Sequence, residues 1–371
     1  MSLPEVALWP EELRNGKILV CHQGAVGDLI LALPAIKTLR HALQPAWLEM
    51  LGHPWTLALV HGHPYADAIM DINRADMAPL FHEEAPLAAG MQGYLKEFDA
   101  AFCFSRSAAL VHNLRRAGIS QTFTLPSFPD TRMHVIDHHL LSLKALGIPS
   151  TSTPPMIYVR EEEWHEAEQF LRNQGWDLTR IVALHPGAGS RKKAWPAARF
   201  AALARALARQ SHKILIIEGP ADEKITKEVL KGLADIPYLL VQDLPITRLA
   251  ALLSVASFFI GNDSGVSHLA AALKRPTIAI FGPTDPYIWA PRNNNAFWLQ
   301  GQAACAPCTG DAQRSCKQPY CLDSIQVEQV ITLIAEKELL HHTTSLPDAR
   351  AITIQKPIHP YGEKGISLSP P

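Results

Sequence analysis

The strongest constraint on the fold is a repeated order of short apolar segment, glycine-containing loop and helical segment. Residues 17–21 form the first apolar segment, and a loop with Gly24 and Gly27 leads into apolar positions at helical spacing from Asp28 to Leu43. This order is typical of a parallel sheet covered by helices on both faces. It restarts at residue 181, and a length of 371 residues also indicates two domains. We therefore predict an α/β protein with two doubly wound domains.

The same pattern places the remaining elements and the domain boundaries. Further strands are predicted at 47–51, 100–104, 181–184, 213–217, 258–260 and 277–281, and further helices at 109–116, 135–146, 196–208, 221–233, 266–273 and 325–340. A connector of Ser, Thr and Pro at 150–155 predicts a hinge there or slightly beyond. We expect a leader at 1–16, an N-terminal domain at 17–165, a C-terminal domain at 166–340 and a poorly ordered tail at 341–371.

Charge and hydropathy exclude several classes of function. The 34 Lys and Arg residues nearly balance the 35 Asp and Glu residues, which gives a net charge of −1. No global field therefore attracts nucleic acid or an anionic membrane. The longest apolar stretches, such as 249–260, are shorter than the roughly 20 residues of a membrane-spanning helix. The N-terminus lacks the basic start and apolar core of a secretory signal. We expect a cytoplasmic protein that binds no nucleic acid.

The first glycine loop ends in a candidate general base. Two residues separate Gly24 from Gly27 and Asp28 follows at once, a spacing unlike the G-x-G-x-x-G of a dinucleotide site. A carboxylate in the first turn of a helix is kept ionised by the helix dipole, so Asp28 is able to accept a proton near neutral pH. The alternative is that Asp28 only caps the helix.

Loops of the second half carry the features of an anion site. The segment 185–196 contains two glycines, a hydroxyl and three consecutive cations between a strand and a helix, which suits a phosphate group. The alternative there is a solvated basic turn. The segment 261–269 opens a helix whose first amides are unpaired, and two further loops follow strands. The acidic loop residues suit a ribose or adenine, or form only the first turn of a helix. Candidate residues in these four loops are Gly187, Ser190, Lys193, Asp222, Glu223, Asp263, Ser264, Gly265, His268 and Thr284.

Taken in order, these motifs resemble glycosyltransferase family 9, the ADP-heptose–lipopolysaccharide heptosyltransferases and their relatives. The resemblance covers roughly residues 17–340. It rests on Gly27-Asp28 with Leu33-Pro34, the segment 105–108, His134 with Leu146-Gly147, His185-Pro-Gly-Ala with Lys193-x-Trp195-Pro196, and the segment 262–268 with 281–284. The resemblance implies a GT-B fold, in which two Rossmann-like domains face a central cleft. The N-terminal domain would bind the acceptor and the C-terminal domain the nucleotide sugar.

The resemblance also implies a mechanism and a set of site residues. The reaction would be an inverting, metal-independent transfer of a heptose, or a related sugar, from an ADP-sugar to a lipopolysaccharide-core-type acceptor. Asp28 would be the base, Lys193 would stabilise the departing diphosphate, and the loop residues above would bind the donor. A lipid-linked, anionic acceptor implies contact with the inner face of the cytoplasmic membrane. Its candidate ligands are Gly27, Arg106 and His134, with Arg115, Arg116 and Arg132 as further cations, although cations on solvated helix faces are the alternative for Arg115 and Arg116.

Four of the six cysteines form a separate motif. Cys305, Cys308, Cys316 and Cys321 are close enough in sequence for one tetrahedral thiolate site. In a reducing compartment a structural metal such as zinc is favoured over disulfides. The alternative is four free thiols. We expect no catalytic role for this motif and no cofactor for the reaction.

Two other functions fit the same architecture. One is a nucleotide-sugar epimerase, which would alter its donor without an acceptor. The other is a non-catalytic protein that binds nucleotide sugars. The sequence does not name the sugar, because heptose, rhamnose and hexose differ by contacts worth only about 1–3 kcal/mol.

Overall fold

The computed structural model describes residues 11–339 except His63, Glu84 and Thr309. Most of the predicted leader and the predicted tail at 341–371 therefore lie outside the described residues. Among the described residues, no helix has both the length and the apolar character needed to cross a bilayer.

The first domain is built on a five-stranded parallel sheet. Its elements are β1 (Lys17–His22), α1 (Val26–Leu43), β2 (Trp47–Gly52), α2 (Pro54–Leu57), β3 (Ala68–Asp71), α3 (Ala89–Leu95), β4 (Ala100–Phe104), α4 (Ala108–Arg116), β5 (Gln121–Leu125) and α5 (Val135–Ala145). The strand order is β3-β2-β1-β4-β5. The order reverses between β1 and β4, where α/β sheets place ligands beyond the carboxyl ends of the strands.

The second domain repeats this plan with six parallel strands. Its elements are α6 (Glu161–Asn173), β6 (Ile181–His185), α7 (Ala197–Arg209), β7 (Lys213–Glu218), α8 (Glu223–Lys231), β8 (Tyr238–Gln242), α9 (Ile246–Ser254), β9 (Phe258–Asn262), α10 (Gly265–Ala272), β10 (Thr277–Phe281), α11 (Pro286–Trp289), β11 (Ala296–Gln300), α12 (Gly310–Ser315), α13 (Tyr320–Asp323) and α14 (Val327–Glu336). The order β11-β10-β9-β6-β7-β8 reverses between β6 and β9. The predicted pair of doubly wound domains is confirmed.

Burial explains why the central strands were recognisable in the sequence. All five residues of β4, β6, β9 and β10 are buried, because helices cover both faces of each sheet. Strands buried on both faces need continuous apolar runs rather than an alternating pattern. The edge strand β5 instead mixes buried and exposed positions.

The chain passes between the domains over residues 146–160. The amide of Ile157 donates to the carbonyl of Ala272 at 3.0 Å, and the hydroxyl of Tyr65 donates to the carbonyl of Met156 at 2.7 Å. The helix α6 packs against α9 of the second domain. The predicted boundary between residues 165 and 166 falls inside α6. Because α6 packs against α9, we describe the whole helix with the second domain.

The two domains touch through the first turns of α1 and α10. A Cβ atom built on Gly27 would lie 3.2 Å from Cδ2 of His268, and one built on Gly265 would lie 3.1 Å from the amide nitrogen of Gly27. The absence of side chains at both glycines therefore allows the close approach. It brings two positively polarised helix ends to the same part of the interdomain cleft.

Candidate active site

The Asp28 carboxylate lies at the N-terminus of α1, facing charged groups of the other domain. Its Oδ2 accepts the amide hydrogen of Ala25 at 3.0 Å, so it caps the helix. Burial, the largest cause, raises the pKa of Asp28; the Ala25 amide and Lys193 act to lower it, and Asp263 acts to raise it. A carboxylate with a raised pKa is a stronger base. Asp28 therefore both caps α1 and lies at the cleft.

Opposite Asp28, the second domain presents three linked side chains. The Lys193 ammonium lies 2.8 Å from Oδ2 of Asp263, and the Thr284 hydroxyl donates to the same oxygen at 2.6 Å. Asp263 is buried, whereas about a quarter of the Lys193 side chain is exposed. Asp263 therefore fixes the ammonium at the cleft, where it is available to an anionic ligand.

The loop that carries Lys193 is held by hydrogen bonds to β9. The Asn262 side chain accepts from the Trp195 amide at 2.9 Å and donates to the carbonyls of Pro186 and Gly187 at 2.8 and 3.1 Å. Ser190 accepts from the Lys192 amide at 3.3 Å and so caps the short 3₁₀ turn Arg191–Lys193. Asn262 is fully buried, which makes this loop a rigid support for the cation.

A cleft of about 400 Å³ extends from α10 along the ends of β7 and β8. Its apolar lining comes mainly from the second domain, and Ala25, Val26 and Trp55 contribute from the first. Glu218, Asp222 and Asp243 supply its carboxylates. An apolar cleft with a few acidic groups suits a nucleoside, whose base packs on the walls while its ribose hydroxyls donate to a carboxylate.

Asp222 is fixed at the wall of this cleft. Its Oδ2 accepts from the amide of Gly219 at 3.1 Å and lies 3.1 Å from Nε2 of His185. Nδ1 of His185 lies 3.3 Å from the hydroxyl of Ser264 at the start of α10. A Cβ atom on Gly187 would lie 2.0 Å from Asp222 Oδ2, so that position requires glycine.

Glu223 is not brought to the cleft. Its side chain is 68% exposed and pairs with Lys227 on the outside of α8. Glu218, the first acid of the same predicted loop, does line the cleft, as do His185 and Asp243, which were not among the predicted residues. His185 is the last residue of β6, so the rule that ligands bind at strand carboxyl ends would have found it.

The candidate acceptor residues mostly brace the protein. Nδ1 of His134 accepts the Ile136 amide at 3.2 Å and Nε2 lies 2.9 Å from the Ala290 carbonyl of the other domain. Burial lowers the pKa of His134 to about 4, so its ring is neutral at pH 7. Gly27 serves the interdomain contact. Arg106 donates to the Phe128 carbonyl and to Asp130, both at 2.8 Å, and stays 56% exposed.

The further candidate cations, Arg115, Arg116 and Arg132, also bond to protein groups. Arg115 donates to the Thr122 carbonyl and Arg116 to the Asn113 side chain, so both support α4 and its neighbours. Arg132 pairs with Asp285 of the second domain at 2.6 Å and lies over the ring of Tyr287 at 4.5 Å. Arg106 and Arg132 are also ion-paired, but more than half of each side chain is exposed.

The cysteine motif packs behind the donor loops. The Cys308 amide donates to the carbonyl of Pro283 at 2.6 Å, next to Thr284. Burial, followed by the proximity of Cys305, raises the pKa of Cys308 to about 11. The four thiols are free, and no group of three or more His, Cys, Asp or Glu side chains within the described ranges is arranged to hold a metal ion. The geometry gives no support to the predicted zinc site.

Two Rossmann-like domains with a fixed cation and an opposed carboxylate across the cleft between them are an arrangement typical of two-domain glycosyltransferases. A family model described as glycosyltransferase family 9 (heptosyltransferase) matches residues 118–318. The chain belongs to glycosyltransferase family 9, and the resemblance inferred from its motifs is confirmed.

Individual relatives match most of the chain. Lipopolysaccharide heptosyltransferase 3 of Escherichia coli K12 is 26% identical over 345 residues, which cover 88% of this chain and 98% of that protein. The crystal structure of a family 9 glycosyl transferase from Veillonella parvula superposes with a TM-score of 0.75 at 20% identity, covering 88% of this chain and 98% of that one. The E. coli heptosyltransferase WaaC, solved with ADP, gives a TM-score of 0.58 at 21% identity, covering 86% and 99%. These structures confirm the predicted GT-B fold.

Proposed function

We propose that this enzyme transfers a heptose, or a related sugar, from an ADP-sugar to a sugar of the lipopolysaccharide core, with inversion and without a metal ion. The proposal takes its substrate class from relatives that are named as lipopolysaccharide heptosyltransferases and from the family 9 structure that was solved with ADP. The observation that carries it is the position of Asp28 in one domain opposite Lys193 and Asp263 in the other.

The donor would lie along the second domain. Its adenosine occupies the cleft beside Asp222, and its diphosphate reaches the N-terminus of α10, where Ser264 and Gly265 stand. The free amides of that first turn and the Lys193 ammonium neutralise the two phosphates. His268, one turn further along α10, closes the site against α1. Among the described residues these groups supply the positive charge that the leaving diphosphate needs.

The reaction is then a single displacement. An acceptor hydroxyl attacks the anomeric carbon of the donor sugar from the face opposite the diphosphate. Asp28 takes the hydroxyl proton, the bond between the anomeric carbon and the diphosphate oxygen breaks, and ADP carries away the electron pair. One displacement inverts the configuration at the anomeric carbon.

The acceptor would approach across the first domain. Arg132 lies in the loop between β5 and α5 and Arg106 contacts that loop, and both remain exposed enough to meet anionic groups of a lipid-linked oligosaccharide. Such an acceptor places the reaction at the inner face of the cytoplasmic membrane. The anionic head groups there attract exposed cations.

The test supplies purified protein with ADP-heptose and a heptose-acceptor core oligosaccharide, in buffer containing EDTA. We expect ADP release that depends on the acceptor, and a product one heptose heavier with inverted anomeric configuration by NMR. Asp28→Asn should bind ADP-heptose with unchanged affinity and lose transfer by at least about 100-fold. A donor sugar altered without acceptor would identify an epimerase instead. Donor binding without any transfer would identify a binding protein.

A further inference from the structure

The donor cleft has one large aromatic residue in its lining, and that residue comes from the first domain. Trp55, in α2, is the only Phe, Trp or Tyr among the described residues that line this cleft of about 400 Å³. It is 51% exposed, although Trp is highly buried on average in folded proteins. Ligand clefts are lined mainly by apolar and aromatic side chains, which a bound ligand then covers. An open indole at this place therefore suggests a contact with the donor.

The neighbours of Trp55 fix its position in the first domain. Thr56 and Leu57, the next two residues, are 5% and 0% exposed, and Leu57 belongs to the hydrophobic core. The amides of Thr56 and Leu57 donate to the carbonyl of His53 at 3.0 and 2.9 Å, which closes the turn. The indole is thus carried by a backbone that is already ordered. A ligand that packs on it has little ordering of the chain to offset.

The position of α2 brings Trp55 close to the start of α9 in the second domain. Leu59, two residues after α2, borders a separate cavity of about 180 Å³ together with Thr247 of α9. In the donor cleft, Ile246 and Leu249 of α9 line the same space as Trp55. Because α9 follows β8 in the chain, this part of the cleft lies near the carboxyl end of β8, where the nucleoside of the proposed donor would bind.

The second domain supplies an aliphatic wall to the same part of the cleft. The wall comes from the ends of β7 and β8 and from the start of α9, and its members are Ile217, Val241, Leu244, Ile246 and Leu249. Leu244 is half-buried and the other four are buried. A flat aromatic base pairs well with an aliphatic wall and an indole, whereas a sugar or a diphosphate does not. The carboxylates of the cleft then remain for the polar groups of the nucleoside.

We propose that the Trp55 indole stacks on the adenine of the donor nucleotide, so that the first domain completes the base site of the second. The proposal rests on the function given above, which takes an ADP-sugar as the donor. A base between the indole and the aliphatic wall has apolar contacts on both of its faces. Loss of one such aromatic contact weakens the binding of a base by about 10-fold to 100-fold.

Stacking from the first domain also couples nucleotide binding to the arrangement of the domains. A ligand that contacts both domains binds best to the arrangement that holds them together, and so favours it. Trp55 and Asp28 belong to the same domain, and Lys193 belongs to the other. Binding of the base therefore favours the arrangement in which Asp28 faces Lys193, although Trp55 does not take part in the chemical step.

The test is a calorimetric titration of ADP into the wild type, Trp55→Ala and Trp55→Phe. We expect the alanine variant to bind ADP at least about 10-fold more weakly. The phenylalanine variant should stay within about threefold of the wild type, because a phenyl ring retains a stacking face. Phe170→Ala is the matched control: Phe170 is 40% exposed on α6 and borders a groove outside the donor cleft, so its loss should leave ADP binding unchanged.

Steady-state kinetics separates stacking from a structural role. In Trp55→Ala, the KM for the ADP-sugar should rise about tenfold, whereas kcat at saturating donor should stay within about threefold of the wild type. The reason is that the indole would contact the base and not the reacting carbon. A purely structural role would lower kcat together with the melting temperature, and circular dichroism with thermal melting measures the folded state of each variant.

Three results would overturn the proposal: an ADP affinity in Trp55→Ala within threefold of the wild type, a phenylalanine variant as weak as the alanine variant, or an equal loss in Phe170→Ala. If the wild type binds ADP but transfers no sugar, the proposed reaction fails, and the calorimetric comparison still decides the role of Trp55. If sugar transfer occurs and Trp55→Ala binds ADP normally, the stacking alone is wrong. A wild type that binds no ADP refutes both.

Discussion

Substituting Gly27 by alanine tests whether the close approach of α1 and α10 is needed for catalysis. The added methyl would lie 3.2 Å from Cδ2 of His268 and 3.4 Å from Cα of Gly265, both in the other domain. Contacts this short require a displacement of a few tenths of an ångström. Overpacking of this kind is unfavourable by about 1–3 kcal/mol where neighbours cannot yield. We expect the two domains to yield by separating, so that the strain opposes the closed arrangement rather than the folded state.

We expect Gly27→Ala to lower the activity without lowering the stability of the fold. Alanine stabilises a helix relative to glycine by up to about 1 kcal/mol, so the melting temperature should stay the same or rise slightly. A destabilisation of the closed arrangement by about 1.4 kcal/mol would lower kcat/KM about tenfold. Gly90→Ala and Gly93→Ala in α3 are the matched controls, because a Cβ atom at either glycine meets nothing within 4 Å. Wild-type kinetics in Gly27→Ala, measured by ADP release, would refute the reasoning.

Three further predictions concern charged side chains. Lys193→Met should lower kcat/KM for the donor by about 10²–10³-fold. It should also move the acid limb of the pH profile upward, because Lys193 lowers the pKa of Asp28. Asp222→Asn should weaken ADP binding in calorimetry, whereas Glu223→Gln, outside the cleft, should leave it unchanged; equal effects would contradict the assignment. Arg292→Ala removes a bidentate pair with Asp137 across the domains, at 2.7 Å for both contacts. Arg292 lowers the pKa of Asp137. The stabilisation of the fold by this pair, under about 1 kcal/mol for groups this exposed, is therefore present at neutral pH and is lost as the pH falls well below 3.8. Denaturant titrations at neutral pH and at low pH check this.

How far the sequence predicted the fold depended on burial. Continuous apolar runs identified β1, β4, β6, β7, β9 and β10, because these strands are covered on both faces or nearly so. The strand β5 was missed because polar residues alternate with its apolar ones, and β8 was missed because its apolar run is only four residues long and mostly exposed or half-buried. The helix α9 was missed for the opposite reason, since only residues 255–257 separate its apolar end from the apolar strand β9.

The site was harder to predict where two neighbouring residues were equivalent in sequence. Asp222 and Glu223 are adjacent acids in one loop, yet Asp222 precedes α8 and faces the cleft, whereas Glu223 begins the helix and points outward. That choice depends on where the helix starts, which a sequence pattern gives only to within a few residues. The sequence alone therefore does not distinguish the two acids.

The strength of Asp28 as a base is coupled to the closure of the domains. Burial is the main cause of its raised pKa, and the first turn of α10 packs against the first turn of α1, which carries Asp28. In an open arrangement water returns to the carboxylate, and Lys193 and Asp263 move away with the second domain. Its pKa then falls toward the ordinary value near 3.8, where it is a weak proton acceptor. Closure over a donor and an acceptor therefore strengthens the base at the moment the hydroxyl is in place. An Asp28 titration that is the same in free enzyme and in the ADP complex, with both arrangements verified by small-angle scattering, would break this link.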